Sequence, residues 1–98
     1  GGGEARTVRS IDGLMLKYYL RLKVADQPGV LAQIAHILGD GEISMASVIQ
    51  KDTNLAEQTA EIVITTHPAR EASVQASLRS MANLEVVRGV KSLLRIEE

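Results

Sequence analysis

The residues with the clearest chemical potential lie in one short stretch, Asp26-Gln27-Pro28-Gly29-Val30-Leu31, between an alternating apolar segment and a helical one. Pro28 fixes its own φ angle and is expected at the first helical position, where a missing N–H is tolerated. The backbone N–H groups of residues 29–31 are then expected to be free at the positive end of a helix dipole, which favours a carboxylate. The Asp26 carboxylate could accept the ammonium of the same ligand. These groups together suit a small zwitterion such as an α-amino acid.

Pro-Gly commonly marks the turn that follows a strand, so the stretch is more simply explained as an ordinary helix start. Gly29 fits both interpretations, since the absence of a Cβ lets backbone or a ligand approach closely. Ser44, at the start of the second predicted strand, could add a hydroxyl contact if its own chain or a second copy places it near the turn. Otherwise Ser44 is a neutral residue at a strand edge. The spacing alone leaves these alternatives open.

The other chemically capable residues do not form a catalytic or metal-binding pattern in the sequence. The chain contains no cysteine, which excludes a thiol nucleophile, a thiolate metal site and a disulfide. His36 is expected on the solvent side of a helix and His67 at a helix start or in a loop, too far apart to share a metal. The serines have no predicted histidine and carboxylate neighbours, so a serine triad is not supported. Six glutamates are expected to be solvated surface charges: Glu57, Glu61, Glu71, Glu85, Glu97 and Glu98.

Composition limits the chain to one small domain. It has 98 residues, 45% of them apolar, enough for a packed core but too few for a catalytic domain together with a regulatory one. Phe and Trp are absent, so the core must be aliphatic. The formal net charge of −1 gives no general attraction to nucleic acid or to anionic membranes. No apolar run approaches the ~20 residues of a membrane helix, and the lack of cysteine suits a cytoplasmic protein.

Residue periodicity predicts the elements that position the Asp26–Leu31 stretch. Residues 1–17 are expected to form a flexible linker or an expression remnant, and the domain proper to cover residues 18–98. Alternation of apolar and polar residues predicts four strands, at residues 18–25, 43–51, 58–66 and, with a bend at Gly89, 86–96. In the second strand, Ile43, Met45, Ser47 and Ile49 are expected to share one face.

Helical spacing predicts two helices between these strands. In the first, the apolar residues follow helical spacing from Val30 to Leu38, and Gly39 and Gly41 end the helix. The second begins at Pro68, again at the first helical position, and ends near Asn83.

The resulting order is β-α-β-β-α-β, with the polar residues 52–57 joining the two central strands. Two interleaved right-handed βαβ crossovers give an α+β fold, the ferredoxin-like sandwich: a four-stranded antiparallel sheet with two helices on one face. RNA-recognition modules share this architecture but stack bases on sheet aromatics, and this chain has only Tyr18 and Tyr19, with Tyr18 expected in the core. An acyl-phosphate hydrolase would need an arginine-bearing phosphate loop where this chain has Asp26 and Gln27. Both classes are therefore disfavoured.

Several segments resemble a known family. Residues 18–35, YYLRLKVADQPGVLAQIA, resemble the opening of an ACT domain, a small regulatory module of many amino-acid-metabolising enzymes. Residues 43–51 (ISMASVIQK), 60–68 (AEIVITTHP) and 86–96 (VVRGVKSLLRI) resemble more specifically the C-terminal regulatory ACT domain of bacterial homoserine dehydrogenases. The resemblance covers residues 18–98.

This resemblance implies a parent enzyme that reduces aspartate semialdehyde to homoserine with NAD(P)H, on the route to threonine, methionine and isoleucine. Its catalytic domains would precede residue 4, and no cofactor is expected in this chain, which lacks a dinucleotide-binding glycine motif. In the family such domains pair side by side, with effectors between the first strand–helix turn and the second strand. Carried over to this sequence, the effector-binding residues are Asp26, Gln27, Gly29, Val30, Leu31 and Ser44.

The sequence thus predicts a non-catalytic regulatory domain that forms a homodimer and binds an amino acid, with threonine as the first candidate. The expected partners are that effector, a second copy and an upstream catalytic domain, but neither nucleic acid nor a membrane. Two alternatives remain open at this point. The chain could be an ACT dimerisation module without a ligand, or the ACT domain of another amino-acid-metabolising enzyme.

Overall fold

The chain folds in the predicted order, with one additional short strand. The computed structural model describes residues 13–96, so the expectation of a flexible segment at residues 1–12 lies outside the described residues. The elements are β1 (Met15–Ala25), α1 (Val30–Asp40), β2 (Met45–Asn54), β3 (Thr59–Thr66), β4 (Ala69–Arg70), α2 (Glu71–Ala82) and β5 (Val87–Ile96).

The strands form one antiparallel sheet in the order β2-β3-β1-β5, and β4 pairs with the first residues of β1. In the register, Leu20 of β1 lies between Ile64 of β3 and Leu93 of β5. Buried residues of both helices join one core cluster with the same face of the sheet, and we call the opposite face the open face. The predicted ferredoxin-like α+β sandwich is confirmed.

The central strand β1 supplies the middle of the core. Its even-numbered residues Tyr18, Leu20, Leu22 and Val24 are all at most 1% exposed, as the alternation predicts. The strand begins at Met15, three residues before the predicted Tyr18. Met15 and Leu16 are ordered into it because they pair with Arg70 and Ala69 of β4. The last residues of the predicted linker therefore belong to the sheet.

Helix α1 lies on the core as the spacing predicts. Val30, Ile34 and Leu38 are buried at intervals of four residues, which places them on one helix face. At its end, the Gly41 N–H donates to the carbonyls of Ile37 and Leu38. A Cβ at Gly41 would lie 2.9 Å from Ser77 Oγ of α2, so a glycine lets the two helices approach at this point.

Helix α2 begins at Glu71, not at Pro68, so the predicted start is wrong. Arg70 precedes the helix with extended dihedrals, φ −76° and ψ 137°, because Ala69 and Arg70 are used in pairing with β1. The pairing with residues before Tyr18 was not visible from a local pattern. The predicted end is confirmed, since Asn83 is the C-terminal cap.

Strand β2 is an edge strand whose alternation is interrupted by a register shift. Met45 lies opposite Thr66, but Ser47 lies opposite Thr65, so Ala46 is an extra residue of the kind that forms a β-bulge. Met45 therefore points to the helix side, whereas Ser47 and Ile49 share the open face with Thr65 and Val63. The predicted common face of Met45, Ser47 and Ile49 is wrong for this reason.

Strand β5 contains two further irregularities near the predicted bend. Its register against β1 shifts between Ser92 and Val90 and again between Gly89 and Val87. Leu94, opposite Tyr19, lies on the open face, whereas Val90, opposite Leu22, lies on the helix side. Strand β5 therefore exposes apolar residues on both faces.

Candidate functional site

The turn between β1 and α1 is shaped by Gly29. Its dihedrals, φ 85° and ψ −6°, are left-handed and match the third residue of a type II turn, in which proline commonly occupies the second position. Helix α1 starts only after it, at Val30. Pro28 thus precedes the N-cap and is not the first helical residue, which corrects the sequence expectation. A β-branched residue could not adopt the Gly29 backbone without strain.

The helix start leaves backbone donors without protein acceptors. The first helical hydrogen bond runs from the Gln33 N–H to the Gly29 carbonyl, at 3.2 Å, and no side chain caps the helix. Within residues 13–96, the N–H groups of residues 29–32 meet no backbone acceptor. The Asp26 side chain is exposed and likewise makes no hydrogen bond to a described residue. Donors of this kind at a helix N-terminus form a favourable environment for an anion.

The turn itself is tied to the sheet on both sides. The Asp26 N–H donates to the Gln58 carbonyl at 2.9 Å, and the Ala25 N–H donates to the Val86 carbonyl at 2.7 Å. These bonds link the turn to the β2–β3 hairpin and to the start of β5. A change in the turn would therefore shift the ends of both neighbouring strands.

A pocket of about 120 Å³ opens beside this turn. Its apolar floor comes from β1 and β3, its wall from the turn, and one further polar side chain from β2. The lining residues are Val24, Ala25, Asp26, Gln27, Gly29, Val30, Leu31, Gln50, Ala60 and Ile62. The structure thus brings together Asp26, Gln27, Gly29, Val30 and Leu31, five of the six residues predicted for the site.

Gln50 is the polar lining residue that the sequence interpretation did not single out. It lies opposite Ile62 in the β2–β3 register, and Ile62 points to the helix side, so Gln50 does too. Alternation in the sequence places Gln50 on the face opposite Ile43 and Met45, and the bulge at Ala46 turns it to the helix side. No local signal in the sequence therefore marked Gln50 as a pocket residue.

Ser44 lies far from the pocket within its own chain. Its carbonyl accepts the His67 N–H at 2.9 Å, at one end of β3, whereas the Asp26 N–H bonds to Gln58 at the other end. Strand β3 spans roughly 25 Å at 3.3 Å per residue. The possibility that Ser44 reaches the turn of the same copy is therefore wrong, and a contribution from a second copy stays a prediction.

A second polar cluster surrounds Glu71, which is 1% exposed. Its Oε1 accepts the Tyr18 hydroxyl at 2.6 Å and Arg95 Nε at 2.8 Å. Its Oε2 accepts Gln75 Nε2 at 2.8 Å and Arg95 Nη2 at 2.7 Å. Both carboxylate oxygens are thus saturated, and the expectation that Glu71 is a solvated surface charge is wrong.

The ionisation of this cluster follows from its contacts. The two bonds from Arg95, helped by those from Tyr18 and Gln75, outweigh burial and lower the pKa of Glu71 to about 2. Burial, together with the hydrogen bond to Glu71, raises the pKa of Tyr18 to about 12. Glu71 is therefore ionised and Tyr18 neutral at pH 7. The cluster joins α2, β1 and β5 and is separate from the pocket beside Gly29.

The histidines behave as the sequence predicts. His36 is exposed, with Nε2 3.4 Å from Asp40 Oδ2 on the same helix, and His67 is exposed after β3. Within residues 13–96, no group of three or more His, Asp or Glu side chains is placed to hold a metal ion. In the same part of the chain, neither helix has the length and apolar character required to cross a membrane.

Comparison with known proteins agrees with the fold. The family model described as "ACT domain" matches residues 18–86, which include the whole turn and Gln50. The chain belongs to the ACT domain family. Similarity to longer proteins extends over most of this ACT domain.

A homoserine dehydrogenase of Methylobacillus glycogenes is 41% identical over 81 residues, which are 83% of this chain and 20% of that protein. The crystal structure of a homoserine dehydrogenase from Thiobacillus denitrificans superposes with a TM-score of 0.83 at 33% identity, covering 96% of this chain and 20% of the other. This chain thus spans about a fifth of the length of the relatives that it matches.

The regulatory subunit of aspartate kinase from Thermus flavus has the same fold. It superposes with a TM-score of 0.53 at 16% identity, over 84% of this chain and 51% of the other. At that identity the likeness concerns the fold alone.

Proposed function

We propose that this ACT domain is the regulatory domain of a homoserine dehydrogenase and binds an amino-acid effector, with threonine as the first candidate. The observation that carries the proposal is the pocket beside the Gly29 turn, where free helix N–H groups and the Asp26 carboxylate lie on one wall. An α-amino acid carries a carboxylate and an ammonium on the same carbon. It therefore complements both groups at once.

The lining of the pocket favours a small side chain with one polar group. Val24, Ala60 and Ile62 form an apolar floor, and Gln50 provides an amide that can donate and accept. A threonine could place its methyl group on the floor and its hydroxyl group near Gln50. A longer aliphatic or basic side chain would have to leave a pocket of about 120 Å³.

A homodimer is part of this proposal. Every residue of β2 after Met45 is exposed. No strand within residues 13–96 pairs with its outer edge, whose backbone groups a second strand can use. Antiparallel pairing of two β2 strands about a two-fold axis would bring the start of one strand beside the end of the other. Ser44 of the second copy would then lie at the end of the sheet where the Gly29 turn lies.

The same edge supports the second candidate function, a dimerisation module without a ligand. The two candidates differ in the pocket and not in the dimer. A chain that dimerises but binds no amino acid would favour the second.

The parent protein would be a cytoplasmic enzyme that reduces aspartate semialdehyde with NAD(P)H in a domain outside this chain. The support is that the relatives with this domain are homoserine dehydrogenases about five times its length. Control would arise because the effector binds one arrangement of the paired ACT domains more tightly than another and so shifts the catalytic part. The bonds from the turn to Val86 and Gln58 offer a route for that shift.

Calorimetric titration of the 98-residue chain tests the effector. We expect heat of binding with L-threonine, and weaker or no heat with isoleucine, methionine, serine and lysine at millimolar concentration. Absence of heat with all five amino acids would refute the sensor function, and sedimentation of the same sample would show whether the dimer persists.

A pair of glutamine variants tests the location of the site. Gln50→Ala should weaken threonine binding by about tenfold, the equivalent of one lost hydrogen bond. Gln33→Ala, an exposed position on α1 outside this pocket, should bind as the unchanged chain does. Equal affinities of both variants would place the effector elsewhere.

A further inference from the structure

The open face of the sheet is divided into two chemically different halves. Near the first residues of β1 it carries four apolar or aromatic residues around Lys17, namely Met15, Tyr19, Leu94 and Ile96, which we call the Met15 patch. Register places Leu94 opposite Tyr19, and Ile96 opposite Lys17, so these side chains are neighbours on one face. Met15 is 57% exposed, Leu94 56% and Ile96 41%.

The other half of the same face is ionic. Arg21 pairs with Glu61 at 2.9 Å, and Lys23 pairs with Glu57 at 2.7 Å. Lys91 adds a further exposed cation beside them. On β1 and β5 the exposed apolar side chains of this face are therefore grouped at one end, whereas Ile49, also exposed on this face, lies on the edge strand β2. Grouped apolar side chains mark an interaction surface more often than scattered single residues do.

The Met15 patch lies on a well-fixed part of the fold. Met15 pairs with Arg70 of β4, and the Leu14 carbonyl accepts the Glu71 N–H at 3.1 Å. The Glu71 side chain then holds Tyr18 of β1 and Arg95 of β5, the neighbours of Tyr19 and Leu94. A partner on this patch would contact a surface that is already ordered, which lowers the entropic cost of association.

The place of the patch indicates its occupant. It surrounds the first residues of β1, the strand through which the polypeptide enters the domain, and the relatives are about five times as long as this chain. A preceding domain joined at this point is held at high effective concentration beside the patch. Resting on the proposed function, we infer that the Met15 patch is the contact surface for the preceding catalytic part of the same polypeptide.

In that arrangement the β2 edge binds a second copy and the Met15 patch binds the preceding domain. The β2 edge lies at the opposite side of the sheet from β5, so a second copy and the preceding domain can be bound together. An effector at the Gly29 turn would change the position of the patch through β1, whose last residues form the pocket and whose first residues carry Met15.

Thiol labelling at introduced cysteines tests this contact. Leu94→Cys lies in the patch, and Val90→Cys is its matched control, since it is 42% exposed on the same strand but on the helix side. Met15→Cys provides a second patch position. Each variant is made in the 98-residue chain and in the full-length parent enzyme, and maleimide labelling at the introduced residue is followed by peptide mass spectrometry without effector.

In the 98-residue chain, patch and control positions should label at similar rates at every protein concentration. In the full-length enzyme, labelling at positions 94 and 15 should slow by about tenfold relative to position 90, since an interface worth 1.4 kcal/mol leaves the patch open about a tenth of the time. Equal rates in the full-length enzyme would overturn the inference. Slowing in the 98-residue chain that grows with its concentration would also overturn it, because a second copy would then be the occupant. Neither result depends on whether an amino acid binds.

Discussion

Replacement of Arg95 by methionine tests how the buried carboxylate of Glu71 is held. Arg95 donates two hydrogen bonds to Glu71, at 2.8 and 2.7 Å, and its side chain is 42% exposed. Methionine retains most of the aliphatic length but removes both donors and the charge. The carboxylate, 1% exposed, would then keep only the bonds from Tyr18 and Gln75.

The expected loss follows from two independent considerations. Hydrogen bonds to charged groups contribute about 1.5–3 kcal/mol, and removing one member of a buried pair costs about 3–5 kcal/mol. The exposure of Arg95 argues for the lower range, since water partly screens the pair. We therefore expect Arg95→Met to lower the free energy of unfolding by about 2 kcal/mol at pH 7.

The pH dependence provides a sharper measurement. The pKa of Glu71 is lowered from 4.5 to about 2, so its ionised form stabilises the fold above pH 4.5 and this stabilisation is lost as the pH falls through 2. Each unit of difference in pKa corresponds to about 1.4 kcal/mol, so the free energy of unfolding falls by about 3 kcal/mol. Arg95→Met should lose much less free energy of unfolding between pH 4.5 and pH 2, because the hydrogen bonds from Arg95 are the main cause of the lowered pKa of Glu71.

Urea denaturation of the 98-residue chain at pH 7 and at several values down to pH 2 measures both effects. Arg88→Met is the matched control, since Arg88 lies on the same strand and its Nε donates in solvent to the Glu85 carbonyl at 3.1 Å. We expect it to change the stability by less than about 0.5 kcal/mol. If both variants lose equal stability, or if Arg95→Met keeps the acid dependence of the unchanged chain, Arg95 is not the main counter-charge of Glu71.

Three further predictions follow from individual residues. Gly29→Ala should destabilise the chain by about 1–2 kcal/mol because φ is 85° there, whereas Gly39→Ala, inside α1 with open space around it, should stabilise it by about 0.5–1 kcal/mol. Thermal unfolding measures both variants, and shifts in Tm of the same sign would contradict the turn geometry. The pKa of Tyr18 is raised from 10.0 to about 12, so the unchanged chain should lose about 3 kcal/mol of unfolding free energy as the pH rises from 10 to 12. Tyr18→Phe should abolish this loss, which urea denaturation at several pH values in this range would detect. Gly41→Val should force α1 and α2 apart, because a Cβ meets Ser77 Oγ at 2.9 Å, and Ser77→Ala should recover part of the loss in a double-mutant cycle; additive effects would show that the two residues do not touch.

Periodicity in the sequence predicted most of the fold. The buried face of β1 and the four-residue spacing of Val30, Ile34 and Leu38 are local properties of a strand and a helix. Both appear in the structure as the residue pattern indicates. The family resemblance located the turn and five of the residues that line the pocket.

The errors have a common origin in contacts between residues distant along the chain. Helix α2 starts late because Ala69 and Arg70 pair with residues that precede Tyr18. The faces of β2 change at Ala46 because β3 imposes a bulge on the pairing. Helical and strand periods contain no information about either partner.

The sequence by itself determined the α+β order, the aliphatic core and the Pro28-Gly29 turn, because propensity, period and backbone geometry act over a few residues. Tertiary structure decided which distant groups meet. It placed Gln50 in the pocket beside Asp26, kept Ser44 at the other end of the sheet, and converted Glu71 from a presumed surface charge into a buried carboxylate held by Arg95. Charge and hydrogen bonding act through space, so their partners are set by the register of the sheet and not by sequence spacing.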